Sequence, residues 1–168
     1  MPSKLSMLRI NGANGSHGAP GISNTAEAAM WAVDYMLQAA TLGVSRVHFH
    51  NGLGYRYNLF QPISNLDDST NITQAHILPL YHAFLIVNEA IGLSGEAHVA
   101  ELGTLEGNLA VYGVWEKDKL VKMVMVNSGL YQDGDRGILN VGLDGIAKGE
   151  CIKVKRLKVP KTEAYSGL

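Results

Sequence analysis

The apolar residues of this chain repeat at one spacing before residue 95 and at another after it, and one regular element cannot satisfy both. Upstream, Ala29, Met30, Val33, Met36, Leu37 and Ala40 recur at the spacing of one helix face. Ser23 or Asn24 precedes that run as a candidate N-cap, and Gly43 stands where a helix end needs a left-handed residue. "VSRVHFH", Val44 to His50, follows at once and reads as a short buried strand, the helix-to-strand rhythm of an α/β unit. A glycine- and tyrosine-rich loop, "NGLGYRYNLFQPI", leads to the polar stretch "SNLDDSTNIT", which reads as a solvated excursion. Pro79 sits where a first helical turn tolerates it, and "LYHAFLIVNEAIG" carries a second helix to Gly92.

From Glu96 onward the period moves towards two. "NLAVYGVW" and "KLVKMVMVN" flank Glu116-Lys117-Asp118, a hairpin signal, and "RGILNVGLDGI" and "ECIKVKRLKV" predict two more strands. Lys153, Lys155 and Lys158 fall on the wet face of the last one. Four or five short antiparallel strands amount to half of a sandwich, with an edge that needs cover. A lone strand between two helices cannot form a parallel sheet by itself, so the expected domain is incomplete.

At 168 residues with 46% apolar content, the chain has the length of one domain and enough material for a core. Its net charge of −1 offers no electrostatic footprint for nucleic acid or an acidic membrane surface. No apolar run approaches the ~20 residues of a membrane span, and "MPSKLSMLRINGANG" holds none of secretion-signal length. Cys151 is alone, which excludes an internal disulfide. Asn14 and Asn71 begin triplets of the N-glycosylation pattern.

Several residues have the right chemistry for a site. In "GSHGAPG", Gly15 to Gly21, glycine-rich backbone ahead of a helix either turns amides towards an anion or simply allows a turn. Its spacing fits neither the dinucleotide fingerprint nor the P-loop, and no strand clearly precedes it. Ser16 beside His17 is not a nucleophile pair, because adjacent residues do not align for proton transfer. His48 and His50 share a strand face but lack further ligands at a telling spacing, so structural roles suit them better than a metal. His76 and His82 bracket a helix start without a signature. Tyr55 and Tyr57 follow a strand end, where α/β barrels place substrate loops; a tyrosine there offers a ring and a hydroxyl to a sugar, or packs the loop. Tyr81, early in the second helix, fits the core better than a site.

Taken together, "GSHGAPGISNTAEAAMWAVDYMLQAATLGVSRVHFHNGLGYRYN" resembles the last part of the catalytic barrel of glycoside hydrolase family 79, the β-glucuronidases and heparanases. The likeness continues through "ILPLYHAFLIVNEAIG" into strands similar to the family's C-terminal β-domain. It implies an α+β chain: a (β/α)8-barrel fragment over residues 1–93, then an incomplete antiparallel β-sandwich over residues 94–168. It implies no cofactor or metal, a glucuronic-acid-containing carbohydrate as ligand, and a typically secreted family. Ser16 and His17 would supply backbone amides, and Tyr55 with Gly54 would contact the uronate.

Retaining hydrolysis needs two carboxyl groups about 5–5.5 Å apart. By the resemblance, the nucleophile would fall around Ile10 to Gly12, and "RINGAN" contains no carboxylate. The acid/base would lie upstream of Met1, and the β-domain would continue past "KTEAYSGL". Glu27 lies inside the helix rather than at a strand end, and Glu89 and Glu96 are equally remote. The expectation is therefore a hydrolase fragment with no catalytic residue of its own. The alternative is a non-catalytic carbohydrate-binding module on the β-domain, with Tyr112, Trp115 and Tyr131 as stacking aromatics.

Overall fold

The computed structural model describes residues 8–10, 18–52, 54–62, 74–105, 108–135, 137–143, 151–157 and 159–165. The chain is α+β. In order the elements are β1 (Leu8–Ile10), α1 (Ala26–Thr41), β2 (Val47–Phe49), β3 (Phe60–Gln61), β4 (His76–Ile77), α2 (Pro79–Ile91), β5 (His98–Leu105), β6 (Leu109–Glu116) and β7 (Lys119–Asn127).

Strand β1 corrects the expectation that no strand precedes the glycine-rich loop. It pairs in parallel with β2, in the register Leu8↔Val47, Arg9↔His48 and Ile10↔Phe49, with α1 as the crossover. Three residues are too few to show a period in the sequence, so β1 is legible only through its partner. Because the two strands run the same way, the loops that follow them leave from the same edge.

Helix α1 begins later than the candidate caps suggest. Thr25 is the N-cap and makes no side-chain cap bond. Ser23 Oγ instead accepts from the Ala19 amide at 3.0 Å, and Asn24 Oδ1 accepts from the Gly21 amide at 2.9 Å, so both serve the preceding turn. The first helical amides find distant partners. Ala26 N–H donates to Ala164 O at 2.9 Å and Glu27 N–H to Thr162 O at 3.1 Å. At the other end Gly43, at φ +78°, donates to Ala40 O and Val44 N–H donates to Ala39 O, the paired bonds of a Schellman stop. Helix α2 starts on Pro79 and stops at Gly92, φ +77°, as its sequence predicts. Its last carbonyls receive Lys122 Nζ from β7, at 2.6 Å to Glu89 O and 3.2 Å to Ala90 O, where a cation also meets the negative end of the helix dipole.

The hairpin after residue 108 forms as expected. Lys117 (φ 49°) and Asp118 (φ 65°) make the two-residue, doubly left-handed turn between β6 and β7, whose twist suits an antiparallel pair. With β5 the three strands form an antiparallel sheet in the order β5-β6-β7. One residue is inserted in β5 at Leu102, beside Gly103 at φ +135°, and one in β7 at Val121. Val99, Tyr112, Val114 and Val126 face the helices and join Ala29, Ala32, Val33, Met36 and Leu37 of α1 and Leu80, Ala83 and Val87 of α2 in one core cluster.

Two strand expectations are overturned. Residues 137–143 and 151–157, the described parts of "RGILNVGLDGI" and "ECIKVKRLKV", belong to no strand. Ile138 is 88% exposed and Val154 68% exposed, so their alternation has no buried face to serve. A strand pattern states which face would be buried, but the ladder still needs a neighbour. Lys153 and Lys155 are exposed, and Lys155 pairs with Glu89, holding that carboxyl below its usual range; Lys158 lies outside the described residues. The polar stretch Ser64 to Thr73 and both glycosylation triplets also lie outside them.

The sheet and α1 share one polar contact inside the core. Tyr112, 1% exposed, donates its hydroxyl to Asp34 Oδ1 at 2.6 Å, with Gln38 Oε1 at 3.2 Å. Burial first, and then the Asp34 carboxylate, pushes this hydroxyl's pKa well above the ordinary tyrosine value of 10.0. Its protonated form therefore stabilises the fold fully below about pH 10, and that contribution is lost as pH rises through the folded-state value. Tyr112→Phe should cost about 1–2 kcal/mol in urea unfolding at pH 8. The gap to the parent should narrow at pH 11; a gap that stays constant or widens would refute the assignment.

Candidate functional site

The site begins where β2 ends. Gly52 and Asn58 close the following loop on itself: Asn58 Oδ1 accepts from Gly52 N–H at 2.9 Å, and Asn58 Nδ2 donates back to Gly52 O. One buried amide thus satisfies both backbone polar groups of a single residue, and the side chain is 1% exposed. Tyr55 N–H also donates to Gly52 O, at 3.3 Å, and Gly54 turns the chain between them at φ +78°. A side chain at Gly54 would be strained by that left-handed backbone although the space around it is open.

Within this brace the aromatic rings stack edge to face. Tyr55 lies 5.5 Å from Tyr57 and 6.3 Å from His50, centroid to centroid, at 74° in each case. Tyr57 is buried in the core and Tyr55 is half-buried at its margin. His48 is exposed on β2 while His50 packs against Tyr55. Among the described residues, no three His, Cys, Asp or Glu side chains gather into a metal-holding group.

The glycine-rich loop reaches this cluster at Gly18. A Cβ there would stand 2.8 Å from Tyr57 Cδ1 and 2.9 Å from Ser23 Cβ, and φ is +77°. Glycine is therefore required twice over, for close approach and for backbone sign. The contact joins the loop after β1 to the loop after β2. Ser16 and His17 lie outside the described residues. The first two amides of the helix are closed to an anion, because those of Ala26 and Glu27 already donate to residues 164 and 162.

That closure comes from a segment the sequence did not mark. Thr162, 2% exposed, donates its hydroxyl to Tyr131 O at 2.8 Å, accepts from Tyr131 N–H at 2.7 Å, and donates its own amide to Tyr131 O at 2.8 Å. Asn58 was equally unmarked; an asparagine six residues after a loop glycine is the only trace it leaves in the sequence. Across β3 and β4, Gln61 opposes His76, and the Nε2 atoms of both are buried without a hydrogen-bond partner. His76 Nδ1 lies 2.8 Å from the Gln74 carbonyl, which can only accept, so Nδ1 carries the proton.

Four of the described carboxylates are engaged elsewhere. Asp34 meets Tyr112, Glu89 meets Lys155, Glu116 accepts from Ser94 and Glu163 accepts from Gln132. Strand β1 carries Leu8, Arg9 and Ile10, and hence no acid. What this arrangement can do chemically is to offer an aromatic ring, Tyr55, at the margin of the core.

No family model matches the chain. It is similar to a β-glucuronidase of Aspergillus niger, 29% identical over 112 residues, which covers 67% of this chain and 20% of that protein. It is also similar to a β-glucuronidase of Neurospora crassa, 31% identical over 124 residues, covering 69% of this chain and 22% of that protein. The similarity marks a glycoside hydrolase relationship, and the chain spans about a fifth of the length of these curated relatives.

The two loops can be tested as one unit. Gly18→Ala should destabilise the chain by about 1–3 kcal/mol, through overpacking on Tyr57 and a left-handed alanine. Gly43→Ala, with a similar φ of +78° but nothing within 4 Å, should cost only the backbone share. Equal losses in urea unfolding would show that the Gly18–Tyr57 contact contributes nothing.

Proposed function

We propose that this chain corresponds to the end of the catalytic barrel and part of the C-terminal β-domain of a family 79, β-glucuronidase-type retaining hydrolase. Residues 1–93 are assigned to the barrel and residues 94–168 to the β-domain. The similarity to two β-glucuronidases over about two-thirds of the chain carries this reading. The parallel β1–α1–β2 unit, with a tyrosine loop leaving its second strand, agrees with it.

In this reading the ligand is a glucuronic-acid-containing carbohydrate. Tyr55 and Gly54 contact the uronate, and the amides of Ser16 and His17 help hold its carboxylate. The Asn58 brace and the Gly18–Tyr57 contact hold the tyrosine loop in place.

The 168-residue polypeptide is proposed to be inactive by itself. Acid/base and nucleophilic carboxylates are what make glycosidic cleavage fast, and "RINGAN" offers none at the end of β1. The purified chain should therefore turn over an aryl β-glucuronide no faster than buffer does. It should still bind methyl β-glucuronide, with amide shifts centred on Gly54 and Tyr55 that weaken several-fold in Tyr55→Phe. Measurable hydrolysis would overturn the inactivity; shifts that avoid the tyrosine loop would overturn the uronate site.

A further inference from the structure

A second surface has the makings of a sugar site, and it lies on the β5–β6–β7 sheet rather than at the tyrosine loop. An open depression of roughly 700 Å³ is lined by Glu96, His98, Ala100, Trp115, Lys117 and Asp118. His98 opposes Trp115 in the β5–β6 register, Ala100 opposes Gly113, and Lys117 and Asp118 are the hairpin turn. The side chains therefore come from adjacent strands and from a turn whose backbone has little freedom.

The indole is held by a glycine. A Cβ at position 113 would meet Trp115 Cη2 at 2.3 Å and Cζ3 at 2.5 Å, so the six-membered ring lies down across Gly113. One face of the indole is thereby spent on backbone, and Trp115 lines the depression beside His98, whose ring centroid lies 6.5 Å away. Tyr112 and Tyr131, the other two stacking candidates of the sequence, are committed differently. Tyr112 is in the core, and the Tyr131 hydroxyl donates to Gly134 O at 2.7 Å. The sheet thus has one aromatic platform in this depression, not three scattered rings.

The rim chooses the ligand. A flat apolar ring face surrounded by carboxylates and one ammonium suits a pyranose, whose C–H face packs on the indole while its hydroxyls bond the rim. Glu96 and Asp118 against Lys117 leave a formal excess of one negative charge among the acidic and basic rim groups. A uronate would be repelled; an uncharged sugar would not.

We propose that the Trp115 depression is a subsite for neutral pyranose units of a glycan, distinct in charge preference from the tyrosine-loop site. It does not depend on the uronate reading, since it draws on different residues and on the opposite charge requirement.

The test is a titration of the full ¹⁵N-labelled chain with cellotetraose, and separately with a glucuronic acid oligosaccharide, at low salt. Cellotetraose should shift the Trp115 indole N–H and the amides of Gly113, Lys117 and Asp118, with a Kd on the order of 1–10 mM for so open a site. Trp115→Ala should weaken binding roughly tenfold or more, while Trp115→Phe, which keeps an aromatic face, should retain part of it. Glucuronate should bind there roughly threefold or more weakly, and added salt or Glu96→Gln with Asp118→Asn should close that gap. Absence of shifts at these residues, unchanged affinity in Trp115→Ala, or equal binding of both sugars by the parent chain would each overturn the proposal. Loss of glucuronate binding at Gly54 and Tyr55 with this pattern intact would instead strike only the tyrosine-loop site.

Discussion

Helix α1 has to be covered along nearly its whole length, and the rest of the structure follows from how that is done. Ala26, Ala29, Ala32, Val33, Met36, Leu37 and Ala39 are all buried, a stripe wider than one neighbouring element can hide. Alanines dominate it, so the elements that cover it can come close. Leu80, Ala83 and Val87 of α2 take part of the stripe, and Val99, Tyr112, Val114 and Val126 of the sheet take another part. Tyr112 brings a hydroxyl into this interface, and Asp34 on the edge of the stripe receives it. Apolar coverage gives the contact its strength; the tyrosine–aspartate bond selects one alignment of sheet and helix.

The candidate site is a consequence of the parallel pairing. Once β1 and β2 run side by side with α1 between them, the glycine-rich loop and the tyrosine loop emerge together. Gly18 then lets the first loop touch the second at Tyr57, and Asn58 closes the second around Gly52. Residues 162 and 164 finish the arrangement by taking the first amides of α1. A helix N-terminus often invites an anion, but here its first two donors are already occupied.

Much of the fold was legible because the signals were local. Gly43 and Gly92 ended their helices, Pro79 opened one, and Glu116-Lys117-Asp118 marked a hairpin; each signal lies within a few residues of the feature it makes. The misreadings concerned which partner a side chain or a strand finds. Ser23 and Asn24 have the chemistry of helix caps but bond Ala19 and Gly21. The apolar–lysine alternation of residues 152–157 describes a strand, yet the described residues find no ladder partner. Of the site, Gly54 and Tyr55 could be named from the sequence, whereas Asn58, Thr162 and the glycine under Trp115 could not. Thr162 acts between distant segments, and Asn58 and Gly113 through side-chain placements within their own loop and strand that residue types alone do not state.

By itself, then, the sequence determined which residues could start and stop elements, which helix faces had to be buried, and that no acid stands at the end of β1. Those properties are set by backbone preference, side-chain period and residue identity, and each can be read within a few neighbours. Tertiary structure alone decided that three residues near the start become a strand and that a tyrosine hydroxyl meets an aspartate on another element. Such choices depend on what distant segments bring within a few ångströms, and the order of residues along a chain does not contain that distance.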